Sequence, residues 1–155
     1  MSEKNRLKIK KILLAIDKSG YKDKAMSYAS TLAKSLGAEI TVIHVIEPSS
    51  MIAAGGHMRP AAMMAQKDYQ DALKKDANKL LKEIVQLGEE EGVTVHGEVL
   101  AGSSVKQTIL DYAKNKKVDL IIVGTKGMTG IARFLMGSVA ADVIAHAHCP
   151  VLAVR

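Results

Sequence analysis

Residues 119–138 read DLIIVGTKGMTGIARFLMGS and carry the clearest structural pattern in the chain. The apolar run that opens this stretch is typical of a strand buried on both faces of a sheet. Gly124, Gly127, Gly130 and Gly137 follow. Because glycine is costly to order, it is usually kept where a backbone turns sharply or lets something approach closely. The stretch predicts a strand, a glycine-rich connection and a helix that opens at Gly137 and Ser138.

The rest of the chain repeats this alternation of strands and helices. Continuous apolar runs predict buried strands, and an alternating run predicts an edge strand that is wet on one side. Apolar residues spaced by three or four positions predict helices between these strands. The predicted strands are 11–17 (KILLAID), 40–46 (ITVIHVI), 93–100 (VTVHGEVL), 119–124 and 151–155; the predicted helices are 25–36 ending at Gly37, 68–91 ending at Gly92, about 103–116 with Ser103 or Ser104 as N-cap, and one opening at 137–138. This order predicts a single α/β domain over residues 1–155, with an open, mostly parallel five-stranded sheet covered by helices on both faces.

Composition narrows the cellular setting and the kinds of partner. Cys149 is the single cysteine, which excludes an internal disulfide and indicates a reducing compartment, so we expect a cytoplasmic protein. No apolar run approaches the roughly 18 residues of a membrane span. The formal charge is +6, and many of its lysines and arginines lie near the start of the chain. We interpret residues 1–8 as a flexible basic arm, and the scarcity of aromatic residues argues against nucleic acid as a partner.

Residues 48–66 show no usable period and contain prolines, paired glycines and several methionines. They predict a mobile loop. Since methionines adapt to varied surfaces, the loop is either a contact site for an unidentified protein partner or a simple connector.

The strand ends indicate where a ligand would bind. In an open parallel sheet, ligands bind at the carboxyl ends of the strands, where the strand order reverses. The first strand ends in Asp17 and the fourth in Gly124, and the first amides of a helix opening at Ser138 lack internal acceptors and attract anions. Two alternatives stay open: Asp17 initiates a turn, and Ser138 caps its helix. Neither G-x-x-x-x-G-K-[ST] nor G-x-G-x-x-G occurs in the chain.

Taken together, these residues resemble the universal stress protein family, specifically its ATP-binding subclass. The likeness extends over KILLAIDKSG, ITVIHVIE, VLAGSSVKQTI and the whole stretch from DLIIVGTKGMTG to the final PVLAVR. The decisive spacing is G-x-x-G, nine residues, then G-S, after an apolar strand. The resemblance implies a Rossmann-like sheet, of the adenine nucleotide alpha hydrolase type, in the order 3-2-1-4-5.

The resemblance also implies ATP as the ligand and assigns its contacts. Whether a divalent ion, Mg²⁺ or Mn²⁺, bridges the phosphates is left open, and no protein metal ligand is required. The implied contacts are Asp17 beside the ribose, the backbone of Val45 at the adenine edge, Gly124 and Gly127 along the ribose and phosphates, and the amides of Gly137, Ser138 and Val139 on the terminal phosphates.

Catalysis is not indicated by the sequence. No serine or cysteine has an evident base beside it, and Asp17 alone could serve a magnesium ion, so any ATP hydrolysis should be slow. The HAHCP run at residues 146–150 lacks the second ligand cluster that a zinc site needs. Three functions remain: an ATP-binding regulatory or stress-response module, a slow ATPase that acts as a timer, and a nucleotide-independent stress factor that binds protein or nucleic acid.

The last strand predicts self-association. VLAVR runs from Val151 to Arg155, its only charge, and by resemblance lies at the edge of the sheet. An apolar edge invites pairing with another strand. The simplest closed arrangement is a homodimer in which two copies of this strand pair antiparallel about a two-fold axis.

Overall fold

Strands and helices alternate along the chain as the sequence predicts. The computed structural model describes residues 8–47, 59–125 and 136–155. Most of the predicted basic arm and residues 48–58 of the predicted loop therefore lie outside the described residues. The elements are β1 (Lys11–Ala15), α1 (Lys22–Leu36), β2 (Glu39–Ile46), α2 (Pro60–Glu90), β3 (Val95–Ala101), α3 (Val105–Asn115), β4 (Leu120–Gly124), α4 (Ser138–His146) and β5 (Val151–Val154).

The five strands form one sheet in the order β3-β2-β1-β4-β5. Every neighbouring pair is parallel. The predicted order 3-2-1-4-5 is confirmed, and so are the edge positions of β3 and β5. Because β1 lies between β2 and β4, it carries the switch in strand order at the centre of the sheet.

The continuous apolar strands are explained by the two faces of the sheet. Leu14 packs in a core formed with α1 and α2, and Leu13 packs in a second core formed with α3 and α4. Both side chains have no exposed surface. Since each face of β1 is covered by helices, adjacent residues of the strand are all apolar rather than alternating.

Asp119 fixes the amino edge of the central strands. Its carboxylate Oδ2 accepts hydrogen bonds from the backbone amides of Lys10 and Lys11, each at 2.9 Å. The sequence predicted that Asp119 begins the fourth strand, but β4 begins at Leu120 and Asp119 lies just before it. Its bonds hold the start of β1 beside the start of β4.

Two of the predicted helix boundaries have the expected chemistry. Gly37 ends α1 in the left-handed region, at φ 62°, which glycine adopts without a Cβ penalty. Ser104 is the N-cap of α3, and its hydroxyl accepts a hydrogen bond from the Gln107 amide. Of the two candidate caps, Ser104 is the residue used.

Helix α2 is longer than the sequence predicts. It begins at Pro60, so the prediction of a loop over residues 60–66 is wrong. Proline at the first helical position has a suitable φ and needs no amide partner, and the alanines that follow are strong helix formers. Its buried residues are all at Ala77 or later, and Met64 is 70% exposed, so the first half of the helix leaves the core. Although α2 has 31 residues, no helix within the described residues is both long enough and apolar enough to cross a membrane.

Candidate functional site

The switch in strand order produces a crevice at the carboxyl ends of β1 and β4. The chain moves outward from β1 through β2 to β3 on one side, and from β4 to β5 on the other. Ala15 pairs with Val123 at the ends of these two central strands. The helices that follow these strands, α1 and α4, pack on opposite faces of the sheet, which opens space between them.

A cavity of about 300 Å³ occupies this position. Asp17, Gly124, Gly137, Ser138 and Val139, which the sequence analysis selected as site residues, all line it. The remaining lining residues are Ala15, Ile16, Ser19, Tyr21, Lys22, Ala25, Val105, Ile109, Val123 and Ala140. The cavity therefore has an apolar floor from the sheet and α3, and a polar rim from the starts of α1 and α4.

Gly127 and Val45 are not placed in this cavity. Gly127 lies outside the described residues. Val45 is 9% exposed and packs in the core beneath α3 and α4, and it is not among the residues that line the cavity. Its backbone lies in β2, where it pairs with Leu100 of β3.

Gly124 leaves space that the protein itself does not fill. A Cβ added at this position would meet only the Cβ of Tyr21, at 3.8 Å, which is an ordinary van der Waals contact. Packing within the described residues therefore does not require glycine here. The missing side chain instead keeps the cavity wall bare at the end of β4.

The loop after β1 is held by contacts on both sides of Asp17. One carboxylate oxygen of Asp17 accepts the Ser19 amide at 2.8 Å, so the residue does form the turn considered as an alternative. Just before it, the buried ring of His44 bonds through Nδ1 to the Ile16 carbonyl at 2.8 Å. A carbonyl oxygen only accepts, so Nδ1 carries the proton in this bond. Position 17 is thus fixed by its own turn and by β2.

A surface ion pair connects the same loop to α2. Lys18 Nζ lies 3.7 Å from Asp76 Oδ2, and both side chains are about half exposed or more. Such a pair contributes little to global stability. It does place the middle of α2 next to the loop that carries Asp17.

The start of α4 differs from the expectation at one amide. Gly137 is the N-cap, and its amide donates to the Thr125 carbonyl at 2.7 Å. The Gly137 amide is therefore engaged within the protein rather than open to a phosphate. Ser138 is the first helical residue, not the cap, and the amides of Ser138 and Val139 have no acceptor within their own helix.

The two helices that begin on the α3 and α4 face have different electrostatic environments at their starts. At α3, the Glu47 carboxylate accepts the Val105 amide at 3.0 Å and Ser104 caps the helix. At α4, Gly137 has no side chain to cap with. The positive end of the α3 dipole is offset by a carboxylate, whereas that of α4 faces the cavity without a capping side chain.

Several lining residues were not identified from the sequence. They include Val105 and Ile109 of α3, and Tyr21 and Lys22 at the start of α1. The available signal was position: Tyr21, Lys22 and Val105 lie at the start of the helix that follows a strand, on the edge where ligands bind in this class of sheet. Apolar side chains on a helix do not reveal by spacing alone that they face a cavity.

The groups with displaced pKa values lie outside the cavity. Burial and a hydrogen bond to Glu98 raise the pKa of Tyr112, and a hydrogen bond from Lys106 lowers the pKa of Asp142. Of the described residues that line the cavity, none is a histidine or a cysteine.

The histidines of the HAHCP run donate hydrogen bonds to the backbone carbonyls of Asp142 and Val118. The described residues contain no group of three or more acidic, histidine or cysteine side chains suited to a metal.

Comparison with known proteins relates the sequence and the fold of this chain to one family. The sequence profile of the Universal stress protein family matches residues 8–155. Universal stress protein MJ0531 of Methanocaldococcus jannaschii is 38% identical over 148 residues, which cover 94% of this chain and 82% of the relative. The solved structure of UspA from Lactobacillus plantarum is similar with a TM-score of 0.81 at 26% identity, covering 97% of this chain and 100% of that one. The universal stress protein from Archaeoglobus fulgidus, solved in complex with dAMP, has a TM-score of 0.65 at 24% identity over 94% of this chain and 98% of that one. The family profile matches nearly the whole length of this chain, and the chain has the strand order and the cavity at the β1/β4 switch described above. The chain belongs to the universal stress protein family.

Proposed function

We propose that this protein is a nucleotide-binding regulatory module that takes ATP in the cavity between β1 and β4. The observation that carries the proposal is the α4 wall of that cavity. Its helix start has no capping side chain, and it stands next to the bare Gly124 position in a cavity with an apolar floor. An apolar pocket with a few converging polar groups suits a flat base, and open helix amides suit phosphate.

The individual contacts follow from this placement. The Asp17 carboxylate uses one oxygen in its own turn, and we assign its remaining acceptor capacity to a ribose hydroxyl. The Ser138 and Val139 amides take phosphate oxygens, with Gly124 and Gly127 giving the backbone room. The backbone of Val45 is assigned to the adenine edge, and Mg²⁺ or Mn²⁺ bound to the phosphates would neutralise part of their charge.

The dAMP complex of the Archaeoglobus fulgidus protein is consistent with this proposal. At 24% identity that likeness establishes the fold alone. The case for this chain therefore depends on its own cavity and on the residues that line it.

Two measurements test the proposal. Mass spectrometry of the supernatant from the purified, denatured protein should detect co-purified ATP or ADP. In addition, ATP at 100 times its dissociation constant should stabilise the fold by about 2.7 kcal/mol, visible as a rise in melting temperature. Gly137→Val should remove that rise, and Ala101→Val on the exposed edge strand should keep it. Absence of co-purified nucleotide together with an unchanged melting temperature would refute the proposal.

A regulatory role rather than turnover is supported by the residues around the cavity. Asp17 is the one carboxylate among the described residues that line it, and no histidine accompanies it there. Bound ATP would then act by changing which surface the protein presents to a partner, in a cytoplasmic setting. Phosphate release measured at saturating ATP separates this role from a slow ATPase that acts as a timer.

We also propose a homodimer formed through β5. This strand pairs only with β4 in the described sheet, through bonds that include the Pro150 and Val154 carbonyls. By the alternation of a parallel ladder, the amide of Ala153 points to the free edge. Ala153→Pro should therefore remove a donor that β4 does not use and give a monomer by light scattering, while Lys24→Gln stays dimeric. A monomeric mass for the unmodified chain at micromolar concentration would contradict the assembly.

A further inference from the structure

Lys22 is a cation in a place that helix energetics disfavour. It is the first residue of α1, next to the N-cap Tyr21, which forms no side-chain cap. The start of a helix carries a partial positive charge, so a lysine there is unfavourable for the helix. A residue that opposes the stability of its own helix invites a search for a ligand.

The surroundings of Lys22 direct it toward the cavity. Its side chain is half-buried and lines the cavity, whereas the next two residues, Asp23 and Lys24, are exposed. Among the described residues, ion pairs join Lys18 to Asp76 and Lys106 to Asp142, and none involves Lys22. Its charge is therefore not neutralised by a carboxylate in the part of the chain that the structure describes.

The charge balance of the cavity then depends on this lysine. Among the described lining residues, the formal charges are the negative Asp17 and the positive Lys22. The starts of α1 and α4 also border the cavity and add partial positive charge, while Glu47 offsets that of α3. Without Lys22, the Asp17 carboxylate would leave the cavity with a formal negative charge. With it, the two formal charges cancel, and the partial positive charge of the helix starts makes the cavity attractive to an anionic ligand.

We propose that Lys22 binds the phosphates of the nucleotide and makes the site selective for nucleoside di- and triphosphates over monophosphates and nucleosides. This inference rests on the proposed nucleotide binding and names the ligand class that the same cavity prefers. The ammonium approaches from the α1 side and the Ser138 and Val139 amides from the α4 side. A polyphosphate held between these two walls is contacted from both, and a nucleoside reaches neither.

The test compares dissociation constants of ATP, ADP, AMP and adenosine by isothermal titration calorimetry. A charge-assisted hydrogen bond contributes about 1.5 kcal/mol or more, so Lys22→Gln should weaken ATP about tenfold or more. Adenosine should bind this variant as it binds the unmodified protein. Lys24→Gln is the matched control, since it removes the same charge two residues away on the exposed side of the helix. Thermal melts without ligand confirm that both variants fold.

Two further measurements distinguish an effect of the Lys22 charge from an effect of its structural role. Lys22→Arg should retain most of the ratio between ATP and adenosine affinity. Higher ionic strength should reduce ATP affinity more in the unmodified protein than in Lys22→Gln, because screening acts on the charge that the variant lacks.

Equal loss of ATP and adenosine affinity in Lys22→Gln would overturn the inference, because it would mark a structural role. The same would follow if Lys24→Gln weakened ATP as much, or if Lys22→Arg lost the ratio as Lys22→Gln does. Failure of the unmodified protein to bind any of the four compounds would instead refute nucleotide binding itself, before any variant is compared.

Discussion

His44 should hold the exit of β1 in the position that places Asp17 at the cavity. The ring is buried on β2, and its Nδ1 bonds to the Ile16 carbonyl at 2.8 Å. Ile16 itself is 7% exposed. Replacing His44 with leucine keeps a side chain of moderate size but removes the donor, so the Ile16 carbonyl loses its partner in a place that water reaches poorly.

The size of the effect follows from that buried carbonyl. An unpaired buried acceptor costs about 1–3 kcal/mol. Ile16 remains tied to Ile43 through its amide, at 3.0 Å, so the strand should stay paired while the segment beyond it loosens. If half of that free energy, about 1 kcal/mol, appears as disorder around Asp17, nucleotide affinity should fall about fivefold.

The assay needs a rescue variant and a readout that does not depend on the ligand. His44→Asn places an amide donor close to the position of Nδ1, and should recover most of what His44→Leu loses. Urea unfolding gives the global free energy, hydrogen exchange of residues 15–20 reports the local loosening, and calorimetry reports nucleotide affinity. The reasoning would be refuted if His44→Leu exchanged no faster over residues 15–20, or if His44→Asn behaved no better than His44→Leu.

Three other outcomes follow from features already described. Gly124→Ala should raise the free energy of unfolding by about 0.4–1 kcal/mol, because the φ of Gly124 is not left-handed and an added Cβ has room. Calorimetry should nevertheless show weaker nucleotide binding by this variant. Lower stability with unchanged binding would contradict our view of this position. Gly88→Ala should instead lower the free energy of unfolding, measured in urea, by about 1 kcal/mol, since the added Cβ would clash with Met26 and lie 2.6 Å from Val95 Cγ2. Such overpacking costs about 1–3 kcal/mol, which outweighs a gain in helix propensity of at most about 1 kcal/mol. Burial raises the pKa of the Cys149 thiol, so its reactive thiolate is scarce at neutral pH; iodoacetamide should alkylate the folded protein far more slowly than the unfolded chain, and equal rates by mass spectrometry would contradict this.

The centre of the sheet was predictable because β1, β2 and β4 have no exposed face. A run such as ILLA in β1 is incompatible with a wet surface, and helices between such runs leave a parallel sheet as the natural arrangement. The helix start at Pro60 was not predictable by the same reasoning. Periodicity detects a helix through the face it buries, and the first half of α2 buries very little.

The site was predictable where it depends on strand ends and less so where it depends on approach from the helices. Asp17 follows β1 and Gly124 ends β4, and these two apolar strands lie side by side in the order that the resemblance implied. The Gly137 amide was expected to be free, but its bond to Thr125 depends on the path of the chain between them, which spacing does not reveal. Lys22 was missed for a related reason: a lysine after a turn is ordinarily solvated, and only the fold shows that this one borders a cavity.

The exposed first half of α2 offers an experimental handle on the protein. A helix of 31 residues is about 46 Å long at 1.5 Å per residue, and its buried side chains begin at Ala77. A fluorophore attached at Met64 would therefore disturb no packing in the described core. Because Asp76, on the same helix, pairs with Lys18 beside Asp17, such a reporter would sit on the element that touches the ligand loop. Occupancy of the cavity could then be followed optically, in real time, without labelling the nucleotide.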